Sequence, residues 1–126
     1  MGDYQPVAPA DVLPFTLTAG GTITGGQLVT CSANDTVVAS TTGDHSIGVA
    51  AHDAVSGQRV TIWPLSDLVH EVVVQTGTVT AGTPAIAGTT GTVNTGVLAT
   101  VAGAGTLLGI FVRGATAPNK ARFIGT

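Results

Sequence analysis

At 126 residues the chain is one domain or two very small ones, long enough to bury a core. Apolar residues make up 44% and charged ones only 9%, against about a quarter in an ordinary soluble domain, so the surface must be unusually neutral. Net charge is −3, and the four basic residues (Arg59, Arg113, Lys120, Arg122) are too scattered to release counterions from a phosphate backbone, so nucleic acid is not an expected partner.

The opening Met1–Gln5 has neither a basic nor an apolar signal region, so no secretory leader is expected and folding in a cytoplasm is the default. Residues 1–14 carry Pro6, Pro9 and Pro14, whose fixed φ and missing N–H groups suit an extended arm. From Phe15 onward, short Val-, Ile- and Thr-rich runs alternate with Gly-Gly, Asn-Asp, Thr-Gly-Asp and Ala-Gly turns. This pattern predicts an all-β domain over 15–126, a compact barrel or sandwich with little helix. Cys31 is the only cysteine, which excludes an intrachain disulfide, and its apolar-flanked run Leu28-Val29-Thr30 predicts a buried, inert thiol. The one candidate helical turn is Ser66–Glu71, with Ser66 or Asp67 as its cap. The greasy stretch Val97–Val112 is broken by Gly103, Gly105 and Gly109 and is too short to span a bilayer, so no membrane segment is expected.

Laid side by side, the halves at about 15–64 and 69–126 read as two diverged copies of one strand-rich unit. Leu17–Gly20 aligns with Val74–Gly77, Thr24–Val29 with Thr80–Ile86, Thr36–Ala39 with Thr92–Thr95, Ile47–Ala50 with Leu108–Phe111, and Val60–Ile62 with Ala121–Ile124. Gly48 and Gly109 each interrupt an apolar strand at matching places, the mark of a bulge or a close backbone approach. Each unit is too small to bury both its faces alone, so the two should share a core.

Residues able to do chemistry do not assemble into a motif. Asp44-His45, His52-Asp53 and His70-Glu71 are neighbours, and adjacent strand residues point to opposite faces, so the histidines read as exposed turn residues rather than metal ligands. Asp44-His45-Ser46 has triad residue types without triad geometry, and Thr42–Asp44 reads as a turn. The Gly103, Gly105, Gly109 spacing precedes a strand signal, where a dinucleotide loop would open a helix. The sequon Asn34-Asp35-Thr36 has no secretory context. No catalytic residue, metal site or cofactor is expected. Trp63 reads as a core-edge or subunit-interface anchor rather than part of a sugar platform, in a chain with five aromatic residues.

Three stretches resemble the small head-decoration, or capsid cement, proteins of tailed bacteriophages: the arm ending Ala10-Asp11-Val12-Leu13, the strand Phe15–Gly21, and Ile47-Gly48-Val49-Ala50 running through Ala54-Val55-Ser56-Gly57 to Ile62. The second unit departs from the pattern, with Gly114–Pro118 in place of the A-x-x-G turn. The resemblance implies a non-enzymatic virion protein, often a homotrimer, on the outer surface of the capsid, stabilising it by binding the major capsid protein at capsomer junctions. On that reading the arm residues Tyr4, Gln5, Pro6, Val7, Pro9, Val12 and Leu13 lie along the capsid protein and pair with a sheet edge. A tail- or fibre-associated adhesion module that binds host glycans is the competing expectation.

Overall fold

The computed structural model describes residues 3–7, 13–96 and 106–126. Expected and observed fold class agree: the body is nearly all β and built from two units of one topology. In the first, β1 (Phe15–Ala19), β2 (Leu28–Ala33), β3 (Thr36–Ala39), β4 (Gly48–Ala50) and β5 (Arg59–Pro64) close a barrel in the order β1-β3-β2-β4-β5. The β1·β3 contact is parallel and every other pairing antiparallel.

The second unit repeats that wiring. It contains β6 (Val69–Val73), β7 (Thr78–Val79), β8 (Pro84–Ala87), β9 (Val93–Thr95), β10 (Gly109–Arg113), β11 (Ala115–Thr116) and β12 (Lys120–Gly125). Five of these form the sheet β6-β12-β10-β8-β9. A parallel bridge between Val74 and Val93 joins its two ends, as the β1·β3 pairing does in the first unit. The small β7·β11 pair stands where Ile23 bridges Ala54. Where the first unit turns at Gly57, the second carries a cis Ala117–Pro118 bond.

Register fixes which residues correspond. Leu28 pairs with Val49 as Pro84 pairs with Ile110, and Val49 pairs with Trp63 as Ile110 pairs with Ile124. Gly48 and Gly109 fall at the same place, each so close to the next strand that a Cβ would strike the backbone carbonyl of Trp63 or Ile124. The opening strands correct the sequence alignment: Ala19 bridges Val37 as Val74 bridges Val93, so Ala19, and not Leu17, corresponds to Val74.

Alternation produces the cores. In β6, His70 and Val72 are buried while Val69, Glu71 and Val73 are half-exposed. One cluster fills the first barrel with Val29, Val37, Val60 and Ile62. A second fills the other unit with Val72, Val93, Phe111 and Phe123, and also takes in Leu28 and Val49 from the first. The units therefore share a core, made where the outward face of β2 and β4 meets the second unit.

Three local expectations are corrected. Ser66–Glu71 is not a helical turn: Asp67 adopts a left-handed φ of 64°, and the chain enters β6 at Val69. The only helical piece among the described residues is a 3-10 turn at Thr89–Gly91. Cys31 is exposed, because β2 passes beyond the core after Val29 and bulges between Cys31 and Ala33. The apolar half of Val97–Val112 that is described enters β10, and no helix among the described residues is long and apolar enough to cross a membrane.

Candidate functional site

The first described stretch of the arm, residues 3–7, lies against the chain's own body. The backbone N–H of Tyr4 donates to the Ala51 carbonyl, and the Trp63 indole N–H donates to the Tyr4 carbonyl at 3.1 Å, so Tyr4's backbone is fixed to the first unit. Its ring reaches the second. The ring stacks on His70 at 5.9 Å, and His70 lies 5.8 Å from Phe123. Three residues on, the Val7 N–H donates to the Val69 carbonyl at 2.9 Å, so the arm meets β6 at residues 69–71. The arm is thus a strap across the seam between the units.

His70 is the residue that sequence reasoning missed most clearly. Expected in an exposed turn, it is fully buried on the inward face of β6. Its Nε2 contacts the Pro64 carbonyl at 2.7 Å, and since a carbonyl only accepts, Nε2 carries the proton. Nδ1 then accepts from the Tyr4 hydroxyl at 2.7 Å, and that hydroxyl oxygen accepts the Glu71 N–H at 3.1 Å. Every polar atom of the circuit has a partner. Burial holds the His70 pKa below the usual histidine value and pushes the Tyr4 phenol well above its own, so the ring is neutral and the phenol remains a donor.

The other two histidines differ. His45 is exposed. His52 is half-buried, with Nε2 accepting the Thr61 N–H at 3.2 Å and Nδ1 donating to the Asp53 carbonyl at 2.9 Å, the opposite tautomer from His70. Asp44, His45 and Ser46 do not converge: the Asp44 carboxylate caps Thr41, and Ser46 pairs with Ser40. Among the described residues no three of His, Cys, Asp and Glu cluster as ion ligands.

Of the arm residues singled out in the sequence, Gln5, Val7 and Leu13 are exposed and Tyr4 and Pro6 half-exposed; Pro9 and Val12 lie outside the described residues, as do Gly103 and Gly105. Trp63 is half-buried beneath the strap. An open groove of about 430 Å³ lies between Thr24–Gln27 and Thr90–Thr92, with Val73 and Lys120 also lining it. The remaining prominent surface feature is apolar: Phe15, Val55, Val112 and Ile124 are exposed on strands and turns.

A strapped two-unit β body with exposed apolar side chains fits a structural component. The sequence matches the phage cement protein family over residues 7–125. This chain belongs to that family. As a phage cement protein it is a capsid-associated structural protein of the virion. The fold is similar to that of the head fibre gp8.5 N base of bacteriophage phi29, with a TM-score of 0.69 and 18% identity over 90% of this chain and 93% of that one. No curated protein matches the sequence.

Proposed function

We propose that this cement protein binds the major capsid protein at capsomer junctions on the outer surface of the head, as a homotrimer, and holds neighbouring capsomers together without catalysing a reaction. The family match over residues 7–125 carries this reading. The physical features support it. Low charge and exposed apolar side chains suit broad contact with protein surfaces. Contacts that are individually weak become strong when repeated over a symmetric lattice. The acidic balance suits an outer position, away from packaged DNA.

The arm contributes through side chains that the strap leaves outward. Tyr4's polar groups are engaged within the chain, whereas Val7 and Leu13 are 44% and 80% exposed. Gln5, Pro6, Pro9 and Val12 lie on the same stretch and complete the proposed contact. Deleting the arm would also remove the Tyr4 strap, so substitution is the cleaner test. Val7→Asp with Leu13→Asp should weaken co-sedimentation with undecorated heads roughly ten-fold or more, the scale of losing a hot spot. Undiminished binding by that double variant would remove the arm from the proposal. Electron microscopy of decorated virions should place density over the head; density confined to the tail or its fibres would refute the capsid reading.

A further inference from the structure

Because the two units share one topology, each position in one has a counterpart whose surroundings can be compared. Across the outward face of the first unit the registers line up Leu28, Val49 and Trp63 on β2, β4 and β5. Across the second they line up Pro84, Ile110, Ile124 and Val69 on β8, β10, β12 and β6. Both rows are apolar. Their environments are opposite. Leu28 and Val49 are 0% exposed and belong to the cluster that fills the second unit, and Trp63 lies under the strap. Ile124 is 41% exposed, Val112 at the β10 bulge 50%, and Pro84, Ile110 and Val69 are half-exposed.

Strands of this chain that face water look different. On the first unit the outward positions of β1 and β5 include Thr16, Thr18 and Thr61, with a Thr16–Thr61 hydroxyl contact at 3.4 Å. The counterparts of Thr16 and Thr61 on β6 and β12 are Glu71 and Arg122, which form a 3.0 Å ion pair next to the apolar row. Arg122 also stands opposite the exposed Arg113 of β10, so the border carries this ion pair and one further cation, and the pair strengthens when a neighbour excludes water from it. The counterpart of Thr18 is Val73.

We infer that the Pro84–Ile110–Ile124–Val69 row is the surface through which copies of this chain associate, the occupant being a second copy. Within one chain the corresponding row already buries itself against another copy of the same unit, and the second row has the same apolar character. Several identical rows meeting about a symmetry axis cover one another without requiring a different partner. This inference names the interface of the assembly put forward above, and it is tested without heads present.

Mass photometry and light scattering of the purified full chain should show an oligomer at micromolar concentration. Ile124→Glu and Val112→Glu should each weaken assembly roughly ten-fold or more, with far-UV circular dichroism unchanged. Val55→Glu, at an exposed apolar position on a turn of the first unit, should leave the oligomer intact. Ile124→Thr, which restores the chemistry of the water-facing strands, provides a milder variant should the charged ones misfold. A wild-type chain that stays single, or an Ile124→Thr variant that folds and assembles as wild type, overturns the inference. Head binding measured separately distinguishes the two readings. A single-chain protein that binds heads and loses them on Ile124→Glu makes the row a capsid contact and overturns self-association alone. An oligomer dissociated by Ile124→Glu that never binds heads sustains this inference and refutes the capsid reading.

Discussion

Tyr4 and His70 concentrate more consequence than any other pair of side chains here. The directed circuit from the Glu71 N–H through the Tyr4 hydroxyl to His70 Nδ1, and from His70 Nε2 to the Pro64 carbonyl, requires the Nε2-protonated ring, while His52 requires the Nδ1-protonated one. Long-range ¹⁵N correlation spectra should therefore show two histidines in opposite neutral tautomers; the same tautomer at both would contradict the circuit. Tyr4→Phe keeps the stacked ring but strands His70 Nδ1 and the Glu71 N–H, a loss of about 1–3 kcal/mol by analogy with other buried unpaired groups. Thermal or urea unfolding of that variant measures it. The pH dependence has a definite sign. The buried ring binds its proton less readily than in the unfolded chain, so the unfolded state takes up more protons as pH falls. The stability associated with neutral His70 is complete above the ordinary histidine value of about 6.5 and is lost below it. Melting temperature should fall on acidification below about pH 6.5, and His70→Gln should flatten that slope, which a pH series of melting curves would check. None of this was legible in the sequence, because the dipeptide His70-Glu71 does not say which of its members faces inward. The alternation that decides it is set by the register of β6 against β12, a contact across 51 residues at Glu71 and Arg122.

At the scale of elements, much more could be read. The short strands, glycine-marked turns and repeated order were all accessible because strand propensity and turn chemistry are local. Gly48 and Gly109 were visible as interruptions of apolar runs, and their cause lies in the close passage of β5 and β12, where a Cβ would meet a carbonyl. The expected outcome of Gly48→Ala or Gly109→Ala is a loss of about 1–3 kcal/mol, the usual cost of forcing extra volume into a packed site. At Gly57, where φ is +89° and nothing lies within 4 Å, an Ala suffers only backbone strain and should cost less. Parallel denaturation curves rank the three, and an equal loss at all of them would refute the close-approach explanation. The alignment failed at the opening strands because Leu17–Gly20 and Val74–Gly77 both end on a glycine, and the eye matches Gly20 to Gly77. Pairing instead matches Ala19 to Val74, each bridging the corresponding valine of the partner strand. Cys31 misled for a related reason: its flanks are apolar, but Leu28 and Val29 face opposite sides of β2 and serve two different clusters, and the core ends before residue 31.

On the scale of the whole molecule, the shared core decides whether the units behave as one. The fold class followed from composition and turn spacing, but the seam did not, because Leu28 and Val29 look alike in sequence while only Val29 faces into its own barrel. Leu28 leaves the first unit to join Val93, Phe111 and Phe123 in the second, and the Tyr4 strap crosses the same boundary. Two units so joined should unfold together, in a single transition with coincident curves from Trp63 fluorescence, which reports the first unit, and from far-UV circular dichroism, which reports both. Leu28→Ala removes a fully buried side chain from the seam and should cost about 2–5 kcal/mol. The loss should move both signals together, because the cavity opens in a core to which both units contribute. Amide exchange in β5 and in β12 should accelerate in parallel in that variant. If β12 exchange alone accelerated while Trp63 kept its wild-type transition, the units would be independent barrels on a common tether, and the seam would then be a contact rather than the core of a single rigid body.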